Sequence, residues 1–144
     1  MSAIDILLIE DNRHDIEMML DALHEHNMNY NVLALNDGVK GLDYFFGAQG
    51  CLREGTAELP KLIMLDLKLP KIDGLDVLLR FKNHPVYRRI PIVVLTTSSE
   101  ERDIQSAYER GANSYIVKPV DFDHFSQVID HIGQYWCKVN TSLV

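Results

Sequence analysis

Three short apolar runs constrain this chain more than any other feature. They are Ile6-Leu7-Leu8-Ile9, Leu62-Ile63-Met64-Leu65 and Ile92-Val93-Val94-Leu95. Half-exposed strands alternate apolar and polar residues, whereas unbroken branched runs fit strands covered on both faces, as in a parallel sheet. Tyr115-Ile116-Val117 is a shorter run of the same kind, and Asn31 to Leu35 is a weaker one. Helical periodicity fills the spaces between them. Ile16, Met19, Leu20 and Leu23 share one helix face; Leu75, Leu78, Leu79 and Phe81, running to Lys82, mark a second; Ile104, Ala107 and Tyr108 mark a third. Phe122, Phe125, Val128, Ile129, Ile132 and Trp136 trace a long last helix. Strands alternating with helices predict a doubly wound α/β fold with a five-stranded parallel sheet, in one domain over 1–144.

A chain of 144 residues is long enough for one sizeable core. Its net charge of −7 argues against direct binding to nucleic acid or to an anionic membrane surface. No apolar run approaches the roughly 20 residues of a membrane helix. The N-terminus has no basic region ahead of its apolar stretch, so it does not read as a secretory signal. Cys51 and Cys137 lie far apart, outside any CxxC or Cys/His spacing, and are expected as free thiols in a reducing, cytoplasmic compartment. Asn36-Asp37-Gly38 reads as a turn and helix cap, and the stretch "GAQGCLREGTAELP" (47–60) as a long polar connection.

All strands of a parallel sheet point the same way, so their C-terminal ends share one edge, where ligands bind. The residues that follow each run converge there. Glu10 and Asp11 follow the first, Asp66 follows Leu65, Thr96 and Thr97 follow Leu95, and Lys118-Pro119 follows Val117. Crowded carboxylates need a cation or raised pKa values, and an oxygen-only set suits a hard ion such as Mg²⁺. A metal beside an acid, a lysine and a hydroxyl is suited to phosphoryl chemistry, with the acid as nucleophile.

The segments "LLIEDN", "LIMLDLKLPKIDGLDVL", "IPIVVLTTSS" and "GANSYIVKP" together resemble the receiver domain of two-component response regulators, which implies the CheY-like, flavodoxin-like fold of five parallel strands and five helices. The resemblance implies a signalling switch that accepts a phosphoryl group from a sensor histidine kinase. It implies Asp66 as phosphoacceptor; Glu10, Asp11, Asp66 and the Lys68 carbonyl as Mg²⁺ ligands; and Thr96, Lys118 and Tyr115 as switch hydroxyl, phosphate partner and switch aromatic. It also implies a cis bond before Pro119. The insertion at 47–60 and the aromatic C-terminus further resemble stand-alone regulators of cyanobacterial and bacterial phytochrome kinases. Such a chain is expected to catalyse only its own phosphorylation and dephosphorylation. With no output domain after the fifth helix, it is expected to signal through protein contacts and to form a homodimer. The dimer is expected around the fourth helix, fifth strand and fifth helix, with Phe122, Tyr135 and Trp136 at the interface.

Other readings compete. Glu10 and Asp11 could cap a helix starting near Asp15, Tyr115 could be core, Lys118 a loop lysine, and His24 and His26 solvated. An aspartyl-phosphate hydrolase of the haloacid-dehalogenase type needs an acid two residues past the nucleophile, where this chain has Lys68. A receiver-like scaffold that is never phosphorylated usually lacks one of the acids or the lysine, and all are present. No GxxxxGK[ST] or GxGxxG follows the first run, so a nucleotide site is not expected. Thr97, where the family usually has a smaller residue, and Lys68 both sit where they would affect phosphodonor access or phosphoryl lifetime.

Overall fold

A computed structural model describes residues 4–25, 30–47 and 59–143. The expected strands form: β1 (Ile6–Ile9), β2 (Val32–Leu35), β3 (Leu62–Leu65), β4 (Ile92–Thr96) and β5 (Ser114–Val117). They pair in the order β2-β1-β3-β4-β5, every neighbour parallel. The helices are α1 (Arg13–His24), α2 (Gly38–Phe46), α3 (Gly74–Lys82), α4 (Glu101–Glu109) and α5 (Phe122–Gln134). A 3₁₀ turn (Tyr87–Arg89) precedes β4, and a π-helical turn (Tyr135–Val139) follows α5. The last helical face thus ends at Gln134, and Trp136 belongs to the wider turn.

The unbroken apolar runs serve two layers at once. Leu7, Ile9, Ile63, Leu65, Ile92 and Val94 face a cluster with Leu42, Phe45, Val77, Leu78, Phe81 and Ala107, which places α2, α3 and α4 on one side. Ile6, Leu8, Leu62, Met64, Val93 and Leu95 face Met19, Leu23, Phe125, Ile129 and Ile132, which places α1 and α5 on the other. The central strands β1, β3 and β4 are wholly buried, and each fully buried Leu or Ile contributes roughly 1.5–3 kcal/mol. Edge strands β2 and β5 are only half-buried, which is why their sequence signal was weaker.

Three expected helix-face members stay out of the core. Tyr108, Phe122 and Leu79 are exposed, whereas Val77 and Ala22, absent from the expected stripes, are buried. His24 is exposed as expected, and His26 and Cys51 lie outside the described residues. Nearly all of the 47–60 connection lies there too. Cys137 is a free, half-buried thiol whose pKa burial pushes up to about 11.

Local caps aim the helices. Asn12, not the acidic pair, caps α1, its side chain accepting from the Asp15 N–H at 3.0 Å. Asp37 caps α2, accepting from the Lys40 N–H at 2.7 Å, and its other oxygen pairs with Lys71 at 3.3 Å. Lys71 itself sits in the left-handed region at φ 71°, uncommon for a residue with a Cβ. Gly74 opens α3 against the end of β3: a Cβ there would sit 2.2 Å from the Asp66 carbonyl oxygen and 2.5 Å from the Leu67 Cα.

Candidate functional site

The C-terminal strand ends bring five expected residues together. Thr96 is fully buried, and Glu10, Asp66 and Lys118 are 2%, 8% and 9% exposed, so their charges meet in a largely dry place. The Lys118 Nζ donates to Glu10 Oε1 at 2.6 Å and reaches Asp66 Oδ2 at 3.4 Å. Its own backbone N–H donates to the Thr96 carbonyl at 2.7 Å, tying the end of β5 to the end of β4. Glu10 Oε2 accepts from the Asn12 N–H at 3.1 Å, and Asp66 Oδ1 from the Lys68 N–H at 3.4 Å. Carboxylate oxygens of Glu10, Asp11 and Asp66 lie within 4.8 Å of one another. Asp11 is exposed, so the group opens to solvent on its side.

Burial first, and then the Asp66 charge, push the Glu10 pKa up to about 7 against the pull of Lys118. Both Glu10 oxygens already accept hydrogen bonds, which favours the carboxylate. For Lys118, burial disfavours the ammonium, but hydrogen bonds to Asp15 and Glu10 and the charges of Glu10 and Asp66 outweigh it, so its pKa is raised. One lasting cation therefore serves several acids, and the excess negative charge is what a hard cation neutralises. The donor set fits a hard divalent metal.

The positions expected to form the switch are linked as well. The Tyr115 hydroxyl donates to the Ser98 carbonyl at 2.8 Å, and Ser98 Oγ donates to Asp103 Oδ2 at 2.6 Å. The loop after β4 is thus held from both β5 and α4. Thr97 is exposed and lines a cavity of about 330 Å³ with Asp15, Lys118 and Phe122. No peptide bond among the described residues is cis, so the expected cis bond before Pro119 is corrected to trans, the intrinsic preference of an X–Pro bond by about 0.5–1 kcal/mol.

Sequence reasoning missed Asp15. It was read only as the start of a helix, yet its Oδ2 accepts from Lys118 Nζ at 2.8 Å. The contact joins positions 103 residues apart, and no local pattern announces it. Of the expected interface residues, Tyr135 is exposed and packs edge-on against Trp136, their ring centroids 5.0 Å apart. Trp136 packs partly against the α1–α5 layer. Phe122 is exposed beside α1, lining cavities with His14, Asp15, Asp21 and Glu25.

A doubly wound sheet with a cation-seeking acidic cluster at its C-terminal edge defines the class. The chain belongs to the response regulator receiver domain family, whose pattern matches residues 6–130. It is 37% identical over 137 residues to the probable methanogenesis regulatory protein FilR2 of Methanothrix harundinacea, covering 95% of this chain and 86% of that protein. It is 35% identical over 136 residues to the response regulator Rcp1 of Synechocystis, covering 94% and 90%. The Mn²⁺-bound form of Rcp1 superposes with a TM-score of 0.85 over 96% of this chain and 98% of that one. The phosphorylated cyanobacterial phytochrome response regulator RcpA superposes with a TM-score of 0.88 at 35% identity, covering 99% and 100%.

Proposed function

We propose that this receiver domain is switched by a phosphoryl group that Asp66 accepts from a sensor histidine kinase in the presence of Mg²⁺. The observation that carries the reading is the convergence of Asp66, Glu10, Asp11, Thr96 and the charged Lys118 at one sheet edge. Glu10, Asp11, Asp66 and the Lys68 carbonyl would hold the metal, which when bound would neutralise carboxylate and phosphoryl oxygens. A carboxylate oxygen of Asp66 attacks phosphorus as the bond from phosphorus to the kinase imidazole nitrogen breaks. The electron pair leaves on that nitrogen. Lys118 pairs with the transferred oxygens, and the Thr96 hydroxyl donates to one of them. The chain catalyses only this transfer and the later hydrolytic loss of phosphate.

The similarity to Rcp1 and RcpA supports a kinase of the phytochrome type as donor, and the Mn²⁺-bound form of Rcp1 supports a divalent metal. No helix among the described residues is long and apolar enough to cross a membrane. Output passes through protein contacts, including a homodimer around α4, β5 and α5 with Phe122, Tyr135 and Trp136 at its interface. Asp66→Asn keeps the shape of the site and removes the nucleophile. Incubation with a phosphohistidine kinase or acetyl phosphate is expected to add a phosphoryl mass to the wild type and none to the variant; equal labelling of both would place the acceptor elsewhere.

A further inference from the structure

We propose that Asp15 is a positioning residue for this transfer, holding the Lys118 ammonium off the Asp66 carboxylate so that Asp66 stays free to attack. The proposal rests on Asp66 as phosphoacceptor. Lys118 has three N–H bonds and three acceptors: Glu10 at 2.6 Å, Asp15 at 2.8 Å and Asp66 at 3.4 Å. Glu10 and Asp15 hold full ion pairs, while Asp66 receives only a long contact. Its other oxygen also has only a long contact, 3.4 Å from the Lys68 N–H. Both Asp66 oxygens therefore keep lone pairs available.

Asp15 is well placed to hold the ammonium. It sits in the first turn of α1, with its backbone N–H held by the Asn12 cap at 3.0 Å and its side chain mostly buried. It also lines the cavity beside Lys118 and Thr97. Loss of its charge weakens its hold on one N–H of a buried ammonium, and that N–H turns toward the nearest remaining anion because a charge-assisted bond is about twice as strong as one to a neutral oxygen. Asp66 Oδ2 is within reach, so the 3.4 Å contact shortens to a full ion pair. A carboxylate engaged in such a pair is a weaker nucleophile, since its lone pair is already stabilised.

The test uses acetyl phosphate and Mg²⁺ with the full chain. In the reaction an Asp66 oxygen bonds to phosphorus, the phosphorus–oxygen bond to the acetyl group breaks, and acetate leaves with the electron pair. Asp15→Asn keeps size and a polar oxygen while removing charge; Asp15→Ser supplies the same comparison should the amide variant fail to fold. The variant is expected to label about tenfold more slowly than wild type, the scale of one charge-assisted hydrogen bond gained by the nucleophile. In a Lys118→Ala background the same substitution is expected to change the rate by less than about twofold, the limit of additivity for uncoupled sites. Where that background takes no measurable label, a crystal structure of Asp15→Asn decides. A Lys118–Asp66 contact of about 2.8 Å supports the proposal, and one left near its present length overturns it. Unchanged or faster labelling of Asp15→Asn, or equal slowing in both backgrounds, also overturns it. A wild type that takes no more label than Asp66→Asn overturns the phosphoacceptor reading, and this proposal with it.

Discussion

At the scale of single residues the chemistry turns on how one ammonium is divided among acids. Glu10 bears the strain of that division. Burial and the Asp66 charge raise its pKa from the ordinary 4.5 to about 7, so the folded state holds the Glu10 proton more tightly than the unfolded state does. The contribution to stability is fully present below about pH 4.5, where both states are protonated, and is lost as pH rises through about 7. In chelator, wild type is therefore expected to lose stability across this window relative to Glu10→Gln, by no more than about 3 kcal/mol given roughly 1.36 kcal/mol per pKa unit. Millimolar Mg²⁺ should flatten the difference, because the cation stabilises the carboxylate only in the folded chain. Urea midpoints from about pH 4.5 to 8, with and without Mg²⁺, check this; parallel curves for the two proteins in chelator would sink it. The five edge residues were legible because each ends or follows an apolar run. Asp15 was not, since a helix-start acid looks the same whether it faces solvent or a lysine from the far end of the sequence.

At the scale of elements, the central strands were legible from composition alone. A run of four apolar residues has no other comfortable place than between two helical layers. Helix faces were less legible at their ends. Tyr108 and Phe122 fit the period but are exposed, and a helical stripe does not reveal where the layer beneath it stops. The contact between α3 and β3 was hidden as well, because it depends on an absent side chain. Gly74 lets α3 begin directly on the Asp66–Leu67 backbone, with its N–H donating to the Leu67 carbonyl at 2.8 Å. A methyl group there meets backbone at 2.2 and 2.5 Å, which only a shift of α3 or of the strand end relieves. Gly74→Ala is thus expected to cost about 1–3 kcal/mol, typical of overpacking, despite alanine's better helix propensity. Because the displaced backbone carries Asp66, labelling should slow as well. Urea unfolding measures the first effect and acetyl phosphate labelling the second; a variant as stable as wild type would show that the contact yields freely.

At the scale of the whole molecule, the site must be read from outside through elements that touch it. The Tyr115 hydroxyl bond to Ser98 and the Lys118 backbone bond to Thr96 lock β5, the end of β4 and the loop into α4 as one unit. A phosphoryl group on Asp66 that draws the Thr96 hydroxyl and the Lys118 ammonium would bias that unit, and with it the surface of α4 and β5. Tyr108 and Val117 are exposed on those two elements, and Tyr135 is exposed just past α5. Exposed aromatic anchors of this kind carry much of the energy of an interface. The homodimer proposed around α4, β5 and α5 has Phe122, Tyr135 and Trp136 as its anchors. Phe122→Ala, Tyr135→Ala and Trp136→Ala should each weaken dimerisation by about tenfold or more, as truncation of an anchor by about 1–2 kcal/mol implies. Beryllofluoride, as a phosphoryl mimic, should tighten the dimer of the wild type. Trp136 also packs on the α1–α5 layer, so its loss could act through stability, and Tyr135→Ala separates that effect because its ring is exposed. Sedimentation velocity at micromolar to hundred-micromolar concentration measures all four proteins. A wild type that stays monomeric throughout, with and without the mimic, would remove the dimer from the account of how this switch is read.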